Sequence, residues 1–267
     1  MTVKIAIIGM GFVGGAIHTS FLNNADVELL AIDPAKGWKA SYLDIANFDA
    51  VFVCVPSPQR SDGSCDTSIL VEVLNQLSLV NFKGVIISKV TAIPSVYAGL
   101  QSKYTNLVHA PEFLTAANAV SDYINGSFAI IGGATTAYRN EAERIIRMSQ
   151  PNLNSISHCS ISEASFAKYT INSFLATKVI FMNEMAKLAE ENGCDWNNIR
   201  QAVGQDKRLG ASHMQVPGPD GDYGFGGMCF PKDTNAMVKF AEWCEQDLSV
   251  LATAVAKNNK IRLTRPK

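Results

Sequence analysis

The first fourteen residues constrain the fold more than any other part of the chain. The apolar, β-branched run VKIAII, residues 3 to 8, has the pattern of a strand buried on both faces of a parallel sheet. It passes directly into GMGFVG, residues 9 to 14, and the next ten residues have helical spacing. A glycine turn between a buried strand and a helix is typical of the start of a doubly wound α/β sheet.

The glycine turn also predicts a dinucleotide site. Gly9 is expected to make the tight turn, Gly11 to let a pyrophosphate approach the backbone, and Gly14 to allow close packing of helix on strand. The helix N-terminus adds the positive end of its dipole. Asp33 ends the run VELLAID about 20 residues later, where an acid accepts hydrogen bonds from the adenosine ribose and disfavours NADP. We therefore predict NAD; the alternative is that Asp33 and the following proline form only a turn.

Further strands follow at the spacing of βα units. Predicted strands cover residues 50–56, 84–90 and 128–133, and the helical run LVEVLNQL is expected to cross over on the sheet between the first two. Ligands of such sheets bind beyond the carboxyl ends of the strands. The loops there are VPSPQRSDGS, KVTAIPS and HAPEFLTAAN.

The second half of the chain is predicted to be helical. No strand pattern follows Ile161, and residues 162–193 are apolar around too much of the helix circumference for a surface helix. We therefore expect a buried central helix. The prediction is an α/β protein with two domains: an N-terminal doubly wound, Rossmann-type parallel sheet in residues 1–155 and an all-helical domain in residues 156–267.

Two features of this half are candidates for chemistry. Lys168 and Asn172 are four residues apart on one helix face, where they need partners or a ligand if buried, although spacing alone favours a solvated edge. The stretch GFGGMCFPKD, residues 224–233, sets Cys229 behind three glycines that allow close backbone approach to a ligand. By itself the stretch equally allows an inert, packed thiol.

Composition excludes several classes of function. With 23 Lys and Arg against 24 Asp and Glu, the net charge of -1 favours neither nucleic acid nor an acidic membrane surface as partner. No stretch approaches the roughly 20 apolar residues of a membrane span, and glycines break the N-terminal apolar run. The 6 cysteines form no CxxC pair and the 4 histidines no metal-ligand spacing. We expect a cytoplasmic protein without a metal.

Together the motifs carry a resemblance. GMGFVG, CVPSP, KVTAIP, APEFL, the helix with Glu163, Lys168 and Asn172, DKRLG and GFGGMCFPKD resemble, in order and approximate spacing, the UDP-glucose/GDP-mannose dehydrogenase family. The match spans nearly the whole chain, and GFGGMCFPKD is its most specific element. It implies NAD-dependent oxidation of a nucleotide sugar, UDP-glucose foremost, at C6 to the uronic acid, in polysaccharide biosynthesis.

The resemblance implies a role for each candidate. Cys229 corresponds to the nucleophile that forms a thiohemiacetal and then a thioester. Lys168 and Asn172 would stabilise the alkoxide. Asp233 would hold or deprotonate a water with Lys168, helped by Thr91. Glu112 would act as general base toward the hydrolytic water.

The binding positions follow in the same way. Those implied for NAD are Gly9, Gly11, Phe12, Val13, Gly14, Asp33, Val55, Pro56, Ser57, Thr91 and Lys232. Those implied for the sugar nucleotide are Glu112, Phe113, Leu114, Lys168, Asn172, Arg208, Gly224, Phe225, Gly226 and Gly227.

The chain departs from the family pattern in three places. Ala116 stands where members often carry a second glutamate, the segment between Asp33 and the strand at 50–56 is short, and the chain ends at Lys267, so the resemblance implies a form without the C-terminal nucleotide-binding domain. It also implies a homodimer through the helical domain.

Two alternatives stay open. One is a catalytically altered NAD-binding protein of the same fold. The other is a single-step NAD-dependent sugar-acid or hydroxyacid dehydrogenase, against which Cys229 argues because a single alcohol oxidation needs no thiolate.

Overall fold

The computed structural model describes residues 2–263, which fall into two compact units. The first contains the residues up to Pro58 together with Asp66–Lys168, and the second contains Gln59–Cys65 and the residues from Tyr169 onward. This division lies at Lys168 and not at residue 155, where we predicted the boundary. The reason is that an eighth strand and the first turns of the following helix belong to the sheet unit.

The first unit is built on an eight-stranded sheet with the order β3-β2-β1-β4-β5-β6-β7-β8. The strands are β1 Val3–Ile8, β2 Val27–Asp33, β3 Trp38–Lys39, β4 Ala50–Val53, β5 Val85–Ser88, β6 Leu107–His109, β7 Phe128–Gly133 and β8 Ser155–Cys159. The helices of this unit are α1 Phe12–Phe21, α2 Ser68–Leu79, α3 Pro94–Lys103, α4 Ala119–Ile124, α5 Thr136–Ser149 and the start of α6 Ile161–Glu191. Short 3-10 turns cover Pro34–Lys36 and Ala116–Asn118.

The predicted sheet is confirmed at its centre and corrected at its edges. Strands β2, β1, β4, β5 and β6 run parallel to one another, as a doubly wound sheet requires. However, β3 is antiparallel to β2, and β7 is antiparallel to β6 while β8 pairs parallel with β7. Strands β3 and β6 have 2 and 3 residues, too few for a periodic pattern in the sequence.

The central strands β1, β4 and β5 are mostly apolar because both faces of the sheet are covered there. In β1, Ile5 and Ile7 point into one hydrophobic cluster, while Ala6 and Ile8 point into the other. Successive side chains of a strand face opposite sides, so burial of both faces requires an apolar residue at every position. The sheet therefore holds the loops at its carboxyl edge on a rigid base.

The second unit is helical in the part of the chain that the structure describes. It contains the rest of α6, then α7 Trp196–Val203, α8 Phe230–Trp243 and α9 Ser249–Leu263. A small core of Met182, Ala186, Trp196 and Met214 packs inside it. No helix in residues 2–263 has both the length and the apolar character needed to cross a membrane.

The prediction that α6 is buried all round is wrong for the single chain. Phe174, Phe181, Met185 and Leu188 are 64%, 56%, 41% and 55% exposed. They recur at helical spacing on one face, whereas Tyr169 and other residues on the remaining faces are buried. The helix thus carries an exposed apolar stripe, which we call the α6 stripe (Phe174, Phe181, Met185 and Leu188).

Candidate functional site

The glycine turn after β1 has the geometry predicted for it. Gly9 has a φ of +91°, in the region that favours glycine, and a Cβ there would lie 2.8 Å from the Cys54 carbonyl oxygen. A Cβ on Gly14 would overlap the Gly9 carbonyl oxygen, whereas one on Gly11 would meet no described atom within 4 Å. Gly9 and Gly14 are therefore required by the fold itself, and the space at Gly11 is open for a ligand.

Asp33 shapes this turn as well as ending β2. Its carboxylate Oδ2 accepts a hydrogen bond of 2.8 Å from the Met10 backbone N–H. The Lys36 amine donates to the Met10 carbonyl oxygen at 2.7 Å, a contact that the sequence did not predict. An acid and a cation thus hold the N–H and the carbonyl group of the same residue, Met10, in the turn.

The loops after β4 and β5 meet at the carboxyl edge of the sheet, as predicted. The Ser57 hydroxyl donates to the Thr91 carbonyl oxygen at 2.9 Å, and Val55 and Pro56 lead from β4 to this contact. Cys54, at the end of the strand, is a packing thiol, because burial raises its pKa to about 12.

Glu112 and Lys168 form a buried ion pair in the sheet unit. The Lys168 amine lies 3.3 Å from Glu112 Oε1 and also donates to the Glu112 carbonyl oxygen, and the two side chains are 5% and 12% exposed. The Leu114 N–H donates to Glu112 Oε2 at 2.9 Å, and the Phe113 ring lies 5.1 Å from the amine. A buried pair is tolerated only when its remaining lone pairs are satisfied, as here.

Cys229 lies in the helical unit at the N-terminal cap of α8. Its side chain is exposed, and its carbonyl oxygen accepts from the Asp233 N–H at 2.8 Å. The first turn of a helix presents unpaired N–H groups and the positive end of the dipole, a favourable place for a thiolate or an oxyanion.

A cluster of polar side chains lies one helical turn after this cysteine, within the same unit. The Asp233 carboxylate, 1% exposed, accepts from the Asn172 amide and from the Lys232 amine, each at 2.6 Å. The Lys232 amine also lies 3.7 Å from the sulfur of Cys65. Burial would lower the pKa of Lys232, but Asp233, Cys65 and Cys229 outweigh burial and raise it. The amine of Lys232, predicted to bind the cofactor, is directed in this structure to Asp233.

The glycine loop before Cys229 is held by two buried amides. The Gly224 N–H donates to Asn183 Oδ1 at 2.9 Å, and the Phe225 N–H donates to Asn258 Oδ1 at 2.7 Å. Gly227 has a φ of +73°, which favours glycine. At Gly226, a Cβ would lie 2.9 Å from the Arg262 guanidinium.

The DKRLG loop is held by a buried lysine. The Lys178 amine donates to the carbonyl oxygens of Leu209, Gly210 and Ser212 at 2.9, 2.9 and 2.6 Å. Arg208 itself is exposed and pairs with Asp206 at 2.6 Å. The loop therefore presents a guanidinium on a fixed backbone.

Several residues of these sites were not predicted from the sequence. They are Lys36, Cys65, Lys178, Asn183 and Asn258. Lys178 and Asn183, like Lys168, are polar residues inside an apolar helical segment. The sequence pattern could therefore have identified them as candidates. Among residues 2–263, no group of three His, Cys, Asp or Glu side chains is arranged to hold a metal ion.

Comparison with known families finds two adjoining matches. Residues 37–150 match the UDP-glucose/GDP-mannose dehydrogenase family, NAD binding domain, and residues 162–260 match the central domain of the same family. The first match begins after the glycine turn at residues 9–14. The turn is therefore evidence for a dinucleotide-binding domain that is independent of this match.

Curated relatives and solved structures agree with these matches. The UDP-glucose 6-dehydrogenase YwqF of Bacillus subtilis is 30% identical over 246 residues, 87% of this chain and 54% of its own length. The UDP-glucose 6-dehydrogenase of Pseudomonas aeruginosa is 33% identical over 227 residues, 80% of this chain and 49% of its own length. The chain thus spans about half the length of these relatives.

Two solved structures have the same fold at low identity. A UDP-glucose dehydrogenase from Pyrobaculum islandicum matches with a TM-score of 0.82 and 23% identity, covering 97% of this chain and 68% of that one. The 3-hydroxyisobutyrate dehydrogenase of Mycobacterium tuberculosis matches with a TM-score of 0.77 and 16% identity, covering 99% and 95%. At these identities the likeness concerns the fold alone.

Proposed function

Since this chain belongs to the UDP-glucose/GDP-mannose dehydrogenase family, we propose that it oxidises a nucleotide sugar, UDP-glucose foremost, at C6 to the uronic acid, with NAD as hydride acceptor. The observation that carries the proposal is Cys229 at the start of α8, backed by the buried cluster of Asp233, Asn172 and Lys232. A protein that only binds NAD has no use for such a cluster beside an exposed thiol.

The sheet unit is the part of the chain that would hold NAD, and the chain carries the family's NAD-binding domain. When bound, NAD supplies the hydride acceptor. The open space at Gly11 suits a pyrophosphate at the N-terminus of α1, and the Asp33 carboxylate, already oriented by the Met10 N–H, suits the ribose hydroxyls.

Cys229 is proposed as the nucleophile between two oxidations. Loss of the first hydride and a proton turns the C6 alcohol into an aldehyde. The Cys229 thiolate then adds to the aldehyde carbon, and the resulting thiohemiacetal loses a second hydride to become a thioester. Water cleaves the thioester to a carboxylate and restores the thiol. Each sugar thus gives up two hydrides and takes up one water.

We assign different roles to the Glu112–Lys168 pair and to the cluster of Asp233, Asn172 and Lys232. Glu112 would take the proton of the attacking water, and Lys168, which donates to both the carboxylate and the carbonyl oxygen of Glu112, orients that base. The Asn172 amide and the Lys232 amine hold Asp233 one helical turn after Cys229. Arg208 and the glycine loop from Gly224 to Gly227 are proposed as contacts of the nucleotide sugar.

A homodimer through the helical unit is the proposed assembly. The α6 stripe leaves apolar surface in water that a second copy of the chain would cover. A reducing compartment, the cytoplasm, suits a reaction that needs Cys229 as a thiol.

A second candidate function has one observation behind it. The fold matches that of a 3-hydroxyisobutyrate dehydrogenase over 99% of this chain and 95% of that one, and the second candidate function is therefore the oxidation of a hydroxyacid in a single step. That reaction would release one NADH for each substrate molecule and would not depend on the Cys229 sulfur.

The test is NADH absorbance with a panel of UDP-sugars, GDP-sugars and small hydroxyacids, using the wild type and Cys229→Ser. We expect two NADH for each sugar oxidised by the wild type, and loss of carboxylate formation in the variant. One NADH for each hydroxyacid, unaffected by the substitution, would establish the second candidate. Binding of NAD without turnover of any substrate would favour the alternative that the chain is a catalytically altered NAD-binding protein.

A further inference from the structure

A cavity of about 380 Å³ lies beside the Glu112 loop in the sheet unit. Its lining combines that loop, the end of α4 with the turn into β7, and Lys89 at the end of β5. The rings of Phe113 and Phe128, 4.8 Å apart, give it an aromatic wall. None of the roles proposed above uses Lys89.

Lys89 contributes a mostly buried cation to this lining. Its side chain is 7% exposed, and among residues 2–263 its amine has no acceptor, only the face of the Tyr123 ring at 5.9 Å. The nearest acids of the lining are engaged elsewhere: Glu112 accepts from Lys168 and Leu114, and Asp122 accepts from Thr115. The hydrogen bonds of the Lys89 amine therefore depend on what occupies the cavity that it lines.

The charged groups around Lys89 offset its charge only in part, because Glu112 is already paired with Lys168. Burial lowers the pKa of Lys89 to about 8, so most of the protein carries an ammonium there at pH 7. The Glu112 carboxylate favours the ammonium and Lys168 opposes it. Burial lowers the pKa of His109 to about 3 and raises that of Cys54 to about 12, so both are neutral at pH 7.

We propose that this cavity binds a small organic monocarboxylate, whose oxygens accept hydrogen bonds from Lys89 and whose carbon skeleton packs on Phe113 and Phe128. The single positive charge of the Lys89 ammonium is neutralised by the single negative charge of a monocarboxylate. The Glu112 and Asp122 carboxylates in the lining repel any anion, but they repel phosphate or another polyanion more strongly than a ligand with a single negative charge. The aromatic wall favours a ligand with an apolar body.

The binding does not depend on the proposed function, but its consequence does. An occupant would touch Glu112, the proposed general base, and would therefore lower the rate of thioester hydrolysis. The site is thus a candidate for inhibition by a carboxylic acid. Because binding is measured without nucleotide sugar, its failure and the failure of the proposed reaction are distinguishable.

The test is isothermal titration calorimetry of the full chain with benzoate, with benzamide as an uncharged molecule of the same shape and with inorganic phosphate. We expect benzoate to bind at least tenfold more tightly than benzamide or phosphate. Lys89→Met should weaken benzoate binding at least tenfold, and Lys83→Met, at an exposed lysine of the same unit, should leave it unchanged. Equal binding of benzoate and benzamide, tighter binding of phosphate, or no binding of benzoate at 10 mM overturns the proposal.

A pH series on the wild type decides the matter even if Lys89→Met does not fold. Only the ammonium form offers the carboxylate its hydrogen bonds, so the benzoate affinity should be nearly constant below pH 7.5. It should then fall by close to tenfold for each pH unit well above 8, because the ammonium fraction falls by that factor. An affinity independent of pH up to 10 would assign the binding to another group.

Discussion

The Asn172 amide and the Asp233 carboxylate, 61 residues apart in the chain, meet at 2.6 Å inside the helical unit, where both side chains are almost fully buried. Lys232 holds the other oxygen of the same carboxylate. Loss of this carboxylate would leave both of its hydrogen-bond donors unsatisfied. The pair therefore links α6 to the helix that begins at Cys229.

Asp233→Asn should destabilise the protein strongly. The substitution leaves the Lys232 ammonium buried without an anion, which costs about 3–5 kcal/mol in comparable buried pairs. The measurement is the free energy of unfolding in urea. Glu242→Gln breaks the exposed pair with Lys239 and should change stability little. Equal effects of the two substitutions would show that the buried pair has no special role.

Glu112→Gln should trap the reaction after the second oxidation. The amide cannot take a proton from the attacking water, so the thioester on Cys229 should accumulate. Mass spectrometry of the protein after incubation with NAD and UDP-glucose should show an adduct that hydroxylamine removes. The double variant with Cys229→Ser is the control and should show none. Full turnover by Glu112→Gln would remove Glu112 from the proposed mechanism.

Three glycine-to-alanine variants should separate folding from cofactor binding. Gly14→Ala should lower the melting temperature, because its Cβ would overlap the Gly9 carbonyl oxygen. Gly11→Ala has free space around it in the protein, so it should fold but bind NADH at least tenfold more weakly. Gly15→Ala, also in free space but inside α1, should stabilise the helix by about 0.5–1 kcal/mol and bind NADH normally. The readouts are thermal unfolding and NADH fluorescence titration. Normal NADH affinity in Gly11→Ala would argue against a pyrophosphate at this turn.

His109 should make the protein sensitive to acid. Burial lowers its pKa to about 3 in the folded state, against 6.5 as its ordinary value, so between these limits the unfolded chain binds a proton that the folded chain does not. Stability should fall with pH by about 1.4 kcal/mol for each unit below 6.5 on account of this residue. Urea unfolding at pH 7 and pH 5 should show a smaller loss in His109→Phe, which keeps an aromatic ring against Tyr97. The same loss in both proteins would contradict the assignment.

The α6 stripe should mediate self-association. Phe181→Glu puts a charge in the middle of the stripe and should convert a dimer to a monomer without unfolding it. Analytical ultracentrifugation at micromolar concentration gives the mass, and Leu43→Glu, at an exposed leucine of the sheet unit, is the matched control. A wild type that sediments as a monomer would refute the assembly proposed here.

The sequence was most informative where a structure depends on neighbours in the chain. The turn from Gly9 to Gly14 lies between its own strand and helix, so pattern and spacing sufficed to predict it. Strand β3, with 2 residues, leaves no such pattern, and the direction of β7 depends on how α4 returns the chain.

Contacts between side chains far apart in the chain could not be predicted, because sequence patterns report only on residues that are close in the chain. The pairing of Lys168 with Glu112, across 56 residues, is decided by tertiary packing, and so is that of Asn172 with Asp233. The sequence marked Lys168 and Asn172 as polar residues on an apolar helix, but it could not say which acid each would meet. Exposure of the α6 stripe also depends on what covers a helix face, which periodicity does not reveal.

The assignment of Gln59–Cys65 to the helical unit has a practical consequence for protein engineering. No single cut in the gene separates the two units, since a fragment starting at Tyr169 would lack the sulfur that Lys232 contacts. Chimeras that exchange the cofactor-binding half for that of a relative must therefore graft two stretches of sequence together.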